Sequence, residues 1–488
     1  MSVSLKKRVE GEKHMIRLLE GNYRKMEKII RILSISDKWM TKKELAKRIG
    51  SSESTFVRYI EEIKIRWGTD VTIQSSQKLG YRLEHLNVPA YLNVLMEMSQ
   101  SSTNSRLLNE IIVNPGKTIE YYCEKISISR SSFTRKLKQC NQILESYLLK
   151  VIVDQGFQLT SLKSELQLRI FVTFFFLSYY GRRTLPFPIE KKKIKEIMSK
   201  NNCQLNLFQE ESPYEQSFFI MYFVVHLMRE SQGNPFEWKA GDPYVKLINI
   251  DKKDFLILKN LLGKLKYSSY IKVVNYFVNT IFSEFSEKEK NEISEQIRKN
   301  ISYCSFSSAD CKEKNEEFVV RLLTQIYFFS RIFPYDTTHL TIRATFFAEQ
   351  MQHRHIRLYA GFRAELQFYS TLLNRNLIYY LSSYIFWMLI GNPEIHHYTS
   401  DKKILIVSDL SLRHSRYIEE YVSDVLAVHK IHSETTVITE DQLSKYNLLE
   451  YDLIVTNQPI PNTHVPYMLI DDSVSFANEE ELIRLFEL

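Results

Sequence analysis

A chain of 488 residues is too long for a single hydrophobic core, and at about 100–200 residues per domain it predicts several domains. Hydrophobic residues make up 44% and charged residues 25% of the chain, ordinary globular values that exclude disordered and fibrous classes. The low counts of glycine (13) and proline (12), beside 29 phenylalanines and 29 tyrosines, favour a mainly α-helical chain with large buried faces.

The distribution of apolar residues and cysteines predicts a cytoplasmic protein without a membrane partner. The longest apolar runs, Phe171–Tyr180 and Tyr384–Ile390, are shorter than the roughly 18 residues that a bilayer span needs. The first 20 residues are charged throughout and contain no signal core. The five cysteines include no CxxC pair, which argues against a disulfide framework and for a reducing compartment.

The net charge of +8 is unevenly distributed. Residues 1–160 carry 27 basic and 17 acidic side chains, a balance of +10, whereas residues 402–488 carry 7 and 15, a balance of −8. This separation favours a polyanion-binding head and a tail that the polyanion repels.

Two segments of the basic head repeat at an offset of 77 residues, which we call the first and second copies. In the first copy, Thr41 and Glu44 form the capping-box pattern of a helix start, and Gly50 permits the tight turn at the helix end. Ser52 then caps a second helix, which predicts a helix-turn-helix. The matched pairs include Thr41 with Thr118, Ile49 with Ile126, Ser52 with Ser129, Phe56 with Phe133, and Arg58 with Arg135.

Each helix-turn-helix is followed by two short predicted strands. These are Val71–Ile73 and Gly80–Leu83 in the first copy, and a pair within Lys150–Leu159 in the second. A strand pair at this place is the wing of a winged helix. The sequence therefore predicts two tandem winged helix-turn-helix domains, residues 1–86 and 87–161.

The second helix of each copy carries polar side chains off its apolar stripe, and we expect them to face double-stranded DNA. Arginine can donate to guanine edges, whereas serine, threonine and lysine mostly contact phosphates. Arg58 and Arg135 are the leading candidates, with the more basic second copy favoured as the reader. Alternatively, one copy binds DNA and the other only packs or dimerises. The candidate DNA contacts are Ser54, Thr55, Arg58, Tyr59, Arg130, Ser132, Thr134, Arg135 and Lys138.

Residues 162–400 have an almost entirely helical pattern and predict two all-helical bundles, 162–282 and 283–400. His226 lies on one apolar helical face with Phe219, Tyr222 and Phe223, the ordinary setting of a buried core histidine. The sequence contains no HExxH, Cys/His cluster or GxSxG motif, so we expect no catalytic residue, metal site or cofactor.

Residues 401–488 alternate short strands with helices and predict a small α/β domain, with a parallel sheet covered on both faces. The loop Asp409–Ser415 follows the first strand, where such folds bind ligands, but it contains no glycine and no cysteine. This composition favours an interaction module. The predicted strands are Lys402–Ser408, Thr435–Thr439, Leu453–Thr456 and Tyr467–Ile470. Of the three predicted helices, the first follows the loop and ends at Val428, and the others are Glu440–Leu449 and Asn478–Phe486.

The order of these parts, and most specifically the repeated segments Thr41–Gly68 and Thr118–Leu144, resembles the Mga/AtxA family of virulence gene regulators of Gram-positive bacteria. The resemblance implies promoter binding through the two winged helices. It also implies that the two bundles are PRD-like domains, similar to those of regulators controlled by the sugar phosphotransferase system. The tail is then an enzyme IIB-like domain that mediates homodimer formation.

The resemblance implies chemistry at particular residues. The phosphotransferase system phosphorylates histidines in such regulatory domains, and Val225-His226-Leu227 followed by Arg229 resembles one typical site. His226 is therefore the candidate phosphorylation site, and the phosphocarrier protein a candidate partner. His339, His353 and His355 are candidates only because they lie in the second bundle. Enzyme IIB carries its phosphate on a cysteine that closes the first strand, where this chain has Ser408.

The sequence thus predicts a non-enzymatic DNA-binding transcription regulator, which the resemblance makes an activator of virulence or surface-protein genes. Two alternatives remain. A phosphotransfer component of the sugar phosphotransferase system would need a nucleophile in the tail loop, which offers Ser408, Ser411, His414 and Ser415. An RNA-binding antiterminator that shares the regulatory bundles would have a short β-rich head, whereas this head is helical and duplicated.

Overall fold

The description of the fold is confined to the following residues of a computed structural model: 16, 18–36, 38–154, 156–203, 205, 213–237, 252–278, 285–301, 312–337, 340–354, 356–391, 402–428, 433–460, 465–473, 475, 478–479, 481–482 and 485. The chain divides into two compact units. The first comprises Met1–His353 and Tyr359–Trp387, and the second comprises Arg354–Leu358 and Met388–Leu488. Within the described ranges, no helix is both long enough and apolar enough to cross a membrane.

The first copy folds as three helices followed by an antiparallel strand pair. Apolar side chains from the three helices, among them Ile29, Leu45 and Ile60, meet in one buried core. Met40 forms an isolated bridge with Tyr81 and ties the chain before the helix-turn-helix to the strand pair. The elements are α1 (Gly21–Ser36), α2 (Lys42–Ile49), α3 (Glu53–Trp67), β1 (Thr72–Ser76) and β2 (Gly80–His85).

A helix that the sequence reading did not predict, α4 (Val88–Ser101), connects the two copies. The side chain of Asn87 accepts a hydrogen bond from the amide of Ala90, and Pro89 lies in the first turn. An asparagine cap followed by proline is a helix-start signal, so the sequence did contain the information. Tyr91, Val94 and Met98 join the core of the first copy.

The second copy repeats the arrangement of the first. Its Lys117 bridges to Phe157, as Met40 does to Tyr81. Its core includes Leu108, Phe133 and Leu159 and continues without a break into the helices that follow. The elements are α5 (Thr103–Val113), α6 (Ile119–Ile126), α7 (Arg130–Leu144), β3 (Leu149–Asp154) and β4 (Gly156–Ser161).

The middle of the chain is helical, as predicted. In its first half, α8, α9, α11 and α12 all pack against α10, the helix that carries His226. In its second half, α13 packs against α14. The helices are α8 (Glu165–Tyr180), α9 (Lys191–Lys200), α10 (Pro213–Ser231), α11 (Lys252–Leu262), α12 (Tyr267–Val278), α13 (Glu287–Arg298), α14 (Lys312–Ile332), α15 (Ile342–Arg354), α16 (Ile356–Leu372) and α17 (Leu381–Gly391).

The second unit contains a four-stranded parallel sheet, which confirms the predicted small parallel sheet. Its strands lie in the order Ser433–Thr439, Lys402–Ser408, Leu453–Thr456 and Tyr467–Leu469. Ile404 and Ile406 face the helix Leu412–Val428, whereas Leu405 and Val407 face the opposite layer. Both faces are therefore covered. The elements are β5 (Lys402–Ser408), α18 (Leu412–Val428), β6 (Ser433–Thr439), β7 (Leu453–Thr456) and β8 (Tyr467–Leu469).

The predicted helix Glu440–Leu449 is wrong. The chain forms two 3₁₀ turns here, Glu440–Lys445 and Leu448–Glu450. The side chain of Asn447 accepts a hydrogen bond from the amide of Leu449 and so starts a new turn where an α-helix would have continued. In the predicted closing helix, the described residues 478–479, 481–482 and 485 are helical.

Candidate nucleic-acid interface

Hydroxyl side chains start the helices of both helix-turn-helix pairs. The amide of Glu44 donates to Thr41 Oγ1 at 3.2 Å, and the amide of Ser132 donates to Ser129 Oγ at 3.2 Å. The second bond of the predicted capping box, from the Thr41 amide to the Glu44 carboxylate, does not form. The Glu44 carboxylate instead accepts from Arg48 at 2.8 Å. In the first copy, the amide of Thr55 likewise donates to Ser52 Oγ at 3.2 Å. A serine thus accepts from one free amide at the start of each second helix, as the sequence predicted.

The turn between the two helices needs a left-handed residue in each copy. Gly50 has φ 64° and ψ 52°. Ser127 stands 77 residues later with nearly the same angles, φ 58° and ψ 56°. The two turns thus share one geometry although only the first uses glycine, and both second helices leave the turn in equivalent ways.

Helix α7 has a much more positive surface than helix α3. It contains Arg130, Arg135, Lys136 and Lys138 and no acidic residue. Helix α3 balances three glutamates against Arg58, Lys64 and Arg66. A cationic helix following such a turn suits contact with a phosphate backbone, so the second copy has the stronger electrostatic case.

Three cations of α7 face outward. Arg130, Arg135 and Lys138 are exposed, and within the described part of the chain neither Arg135 nor Lys138 makes an ion pair. Arg130 is 71% exposed and pairs with Glu120 of α6. Lys136 is different, because it is largely buried against Glu20 at 2.6 Å. Arg135 and Lys138 are the α7 cations available to a ligand without breaking a contact.

In the first copy, Arg58 is exposed as expected, but Tyr59 is not. The Tyr59 side chain is only 6% exposed and belongs to the core. It follows Phe56 by three residues and precedes Ile63 by four, so it lies on the buried stripe of α3. The prediction that Tyr59 faces outward is therefore wrong. The Arg58 guanidinium lies over its ring, 5.7 Å from the centroid.

Three of the four predicted hydroxyl contacts already have local partners. Ser54 Oγ and Thr55 Oγ1 lie 3.0 and 2.8 Å from Ser52 Oγ. Thr134 Oγ1 donates to the carbonyl of Arg130 at 3.1 Å. A hydroxyl that donates within the helix can still accept a hydrogen bond from a ligand. To donate to a phosphate oxygen, it must first release its present acceptor.

Both wings are held close to the chain that precedes their helix-turn-helix. A Cβ atom on Gly80 would lie 2.1 Å from the Met40 carbonyl oxygen, and one on Gly156 would lie 2.3 Å from the Gly116 carbonyl carbon. Only glycine permits this approach. At the tip of the first wing, Gln77 and Lys78 are exposed, and the sequence reading did not single them out.

The candidate phosphorylation site His226 lies in the core. Its side chain is 0% exposed, with the rings of Tyr222, Phe236, Tyr276 and Phe277 at centroid distances of 4.3, 5.0, 5.2 and 5.3 Å. Its Nδ1 lies 3.0 Å from the Tyr222 carbonyl oxygen, and because a carbonyl only accepts, Nδ1 carries the proton.

Electrostatics keep the His226 ring neutral. Burial, and then the charge of Arg169, lower the pKa of His226 well below its ordinary value. In this conformation neither ring nitrogen is open to a phosphate donor. His339, His355 and the side chain of His353 lie outside the described residues.

Arg229 follows His226 in the segment that resembles a phosphorylation site, and its side chain is held in an ion pair inside the protein. Its Nε and Nη2 donate to the two carboxylate oxygens of Glu165 at 2.7 and 2.9 Å. Arg169 donates to Glu165 at 3.2 Å and to Glu230 at 3.1 Å. Both arginines are almost fully buried. The network joins α8 to α10 beneath the wing of the second copy.

The tail loop places its nucleophile candidates in a closed hydrogen-bond network. Ser408 is 0% exposed, and its Oγ lies 2.8 Å from His414 Nδ1. His414 Nε2 donates to the carbonyl of Asp472 at 2.7 Å, so in the neutral ring Nδ1 accepts a hydrogen bond from the Ser408 hydroxyl. Ser415 is equally buried and donates to the carbonyl of Ile438 at 2.9 Å, while Ser411 Oγ accepts from the His414 amide at 3.2 Å.

Comparison with known families singles out the second copy. Residues 90–176 match the family model of the Mga helix-turn-helix domain, a range that begins in α4 and ends in α8. No curated protein matches the chain. The matched range contains both helices of the second helix-turn-helix, its wing and the cationic face of α7. This part of the chain is therefore similar to the helix-turn-helix domain of Mga regulators.

Proposed function

We propose that the protein is a DNA-binding transcription regulator of the cytoplasm, with α7 as the helix that enters the major groove. The observation that carries the proposal is the outward face of α7, where Arg130, Arg135 and Lys138 stand without an acidic neighbour on the helix. Arginine in such a place can donate two hydrogen bonds to guanine, and lysine contacts phosphates. The match of this segment to the Mga helix-turn-helix domain supports the same assignment.

The dependence of DNA affinity on salt tests this proposal. A protein that neutralises phosphates releases counterions, so log affinity falls linearly with log salt at about 0.9 per phosphate contacted. Fluorescence anisotropy with promoter-length duplexes, from low to physiological salt, measures this slope. A slope near zero, or no binding at low salt, would refute DNA binding by a cationic helix.

We further propose that the regulator is an activator and that it forms a homodimer through its tail, residues 401–488. Support comes from the edge strand β8, whose Tyr467 and Leu469 side chains are 42% and 48% exposed. An edge strand with exposed apolar residues is prone to pair with another chain. Light scattering should show a dimer that Leu469→Lys weakens, whereas Leu79→Lys on the first wing leaves it intact. Equal dimer fractions in both variants would exclude β8 as the contact.

We also propose that His226 is phosphorylated, which requires the buried ring to become exposed first. A phosphate adds about 1.5–2 negative charges, which the aromatic surroundings of His226 cannot accommodate without opening of α10 and α12. Phosphorylation would therefore shift the packing of these helices and, through it, self-association. If His226→Ala and His226→Asp both match wild type in reporter output and dimer fraction, His226 is not the switch.

The same proposal treats the protein as a regulator and not as a phosphotransfer enzyme. The buried, hydrogen-bonded hydroxyl of Ser408 supports this choice, since an attacking group must reach its substrate. Incubation with the phosphocarrier protein and labelled phosphoenolpyruvate, followed by mapping of the label, separates the two functions. Label at Ser408 or His414 would favour the enzyme, whereas label at His226 would favour the regulator.

A further inference from the structure

A cavity of about 720 Å³ lies within the first unit. Its size falls within the range of about 300–1,000 Å³ that is typical of small-molecule sites. Residues of α4, which belongs to the matched Mga domain, form one wall, and residues of α8, α10, α14, α15 and α17 form the others. The cavity therefore touches both the DNA-binding head and the helical middle of the chain.

Helix α4 uses opposite faces for the core and for the cavity. Tyr91, Val94 and Met98 are buried in the core of the first copy. Leu92 and Met96, one helical turn apart, are half-buried and line the cavity. Gly181 lies against the same wall, since a Cβ atom there would come within 2.8 Å of Met96 Sδ.

The remaining walls are rich in aromatic and aliphatic side chains that are only partly covered. Such side chains would bind the apolar body of a ligand and gain burial by doing so. The half-buried members of this lining include Phe174, Leu177, Phe218, Phe329 and Trp387.

One corner of the cavity is cationic. Arg182 and Arg183 line it in the turn after α8, and Lys191 Nζ donates to the Arg182 carbonyl at 3.0 Å and to Ser217 Oγ at 2.6 Å. Both acceptors are neutral, and within the described ranges neither Lys191 nor Arg183 has a carboxylate partner. Burial, and then the neighbouring charge of Arg182, lower the pKa of Lys191.

The acidic residues of the lining do not offset this corner. Asp70 and Glu97 lie on the α3–α4 side, where the Glu97 carboxylate accepts the indole N–H of Trp67 at 2.8 Å. Glu215 is buried at the start of α10, two residues before Ser217. Within the described ranges, none of these three carboxylates pairs with Arg183 or Lys191.

We propose that this cavity binds an amphipathic carboxylate, with its apolar body between α4, α8, α14 and α17 and its carboxylate at Arg183, next to the Lys191 ammonium that contacts the lining residue Ser217. A guanidinium and an ammonium together form strong charge-assisted hydrogen bonds with such a group. The occupied cavity would tie α4 to the helical middle and so report a small molecule to the DNA-binding head.

Fluorescence titration of the full chain with anilinonaphthalene sulfonate, an aromatic anion, tests the site without DNA. We expect saturable binding of one probe per chain. Decanoate should displace the probe at concentrations at least about tenfold lower than decanol does, because only decanoate supplies the anion. Absence of probe binding, or equal displacement by decanol, would overturn the proposal.

Paired variants locate the site. Met96→Trp fills the cavity and should weaken probe binding at least about tenfold, whereas Leu79→Trp on the exposed first wing should not. Leu177→Trp serves as a second filling variant if Met96→Trp does not fold. Arg183→Gln should weaken binding at least about fivefold, whereas Lys192→Gln, exposed and outside the lining, should not. Unchanged binding in a folded filling variant would place the probe elsewhere and sink the proposal. DNA binding through α7 would be untouched by that result.

Discussion

Arg135 is the side chain on which the proposed DNA contact most depends. It is exposed, makes no ion pair within the described ranges and lies on a helix without acidic residues, whereas its counterpart Arg58 lies on a helix of balanced charge. We expect Arg135→Ala to cost about 1–3 kcal/mol of binding free energy if the side chain reads a base.

Arg58→Ala is the matched control for that change, and it should cost less than Arg135→Ala on the same duplex. Lys138→Ala should weaken binding evenly across sequences and lower the salt slope by about one unit. Anisotropy titrations measure all three. An Arg135→Ala protein within a few tenths of a kcal/mol of wild type would remove this residue from the interface.

His226 makes a second prediction at the residue scale, on stability against pH. Its folded pKa lies well below the unfolded value of about 6.5, so below that pH the unfolded chain binds the extra proton. The stabilising contribution of neutral His226 is complete above pH 6.5 or so and declines as the pH falls.

The thermal midpoint of wild type should therefore drop more between neutral and mildly acidic pH than that of His226→Gln. Scanning calorimetry at matched ionic strength measures the difference. Parallel pH profiles of the two proteins would show that His226 is accessible to protons in the folded state.

Local sequence signals predicted some residues better than others. Thr41, Ser52 and Ser129 were predictable as caps because a hydroxyl before a helix has one dominant role. Tyr59 was misplaced because its phenolic group suggested a polar surface, whereas its spacing from Phe56 and Ile63 placed it in the core. The closed network around Ser408 depends on Asp472, 64 residues away, and no local pattern predicts such a contact.

At the scale of elements, the wing of the second copy depends on one glycine. Gly156 has φ +110°, and a Cβ there would overlap the backbone of Gly116. We expect Gly156→Ala to destabilise the protein by at least about 2 kcal/mol and to weaken DNA binding by displacing the wing.

Gly50→Ser is the matched control, because nothing lies within 4 Å of its Cβ position and Ser127 adopts the same angles in the second copy. It should cost no more than about 1–2 kcal/mol. Denaturant unfolding measures both variants. Equal costs would mean that the wing yields to the added methyl group.

The ion network between α8 and α10 makes the second prediction at this scale. Glu165 accepts from both Arg169 and Arg229, whose side chains are 0% and 2% exposed. Its removal leaves buried guanidinium groups short of a counter-ion, so Glu165→Ala should cost about 3–5 kcal/mol.

Glu292→Ala provides the comparison, since the pair of Glu292 with Lys288 is 3.9 Å long and well exposed. Its loss should change stability by no more than about 0.5 kcal/mol. If denaturant unfolding gives similar values for the two variants, the network does not hold α8 against α10.

The elements predicted best were those whose sequence pattern is typical of one type of secondary structure only. The strands Lys402–Ser408 and Leu453–Thr456 match their predicted bounds because a short apolar run in a parallel sheet is buried on both faces. Helix α4 was not predicted because its cap, Asn87, comes only two residues after the end of β2, so the helix start has no separate loop before it. The turns at Glu440–Lys445 and Leu448–Glu450 have apolar spacing that a helix would also show.

At the scale of the whole molecule, the sequence alone predicted the duplication and the charge separation. The cavity was not, because its walls come from six helices that are distant along the chain. The duplication gives the chain two candidate recognition helices, α3 and α7. The match of the Mga helix-turn-helix domain to residues 90–176 favours α7 as the primary reader.

Footprinting on genomic fragments, with each recognition helix altered in turn, tests the central claim most directly. The altered proteins are Arg135→Ala with Lys138→Ala in α7, and Arg58→Ala in α3, each shown to be folded by circular dichroism. We predict that wild type protects a discrete site, that the α7 variant loses this protection, and that the α3 variant retains most of it. Undiminished protection by the α7 variant would contradict the assignment of α7 to the major groove.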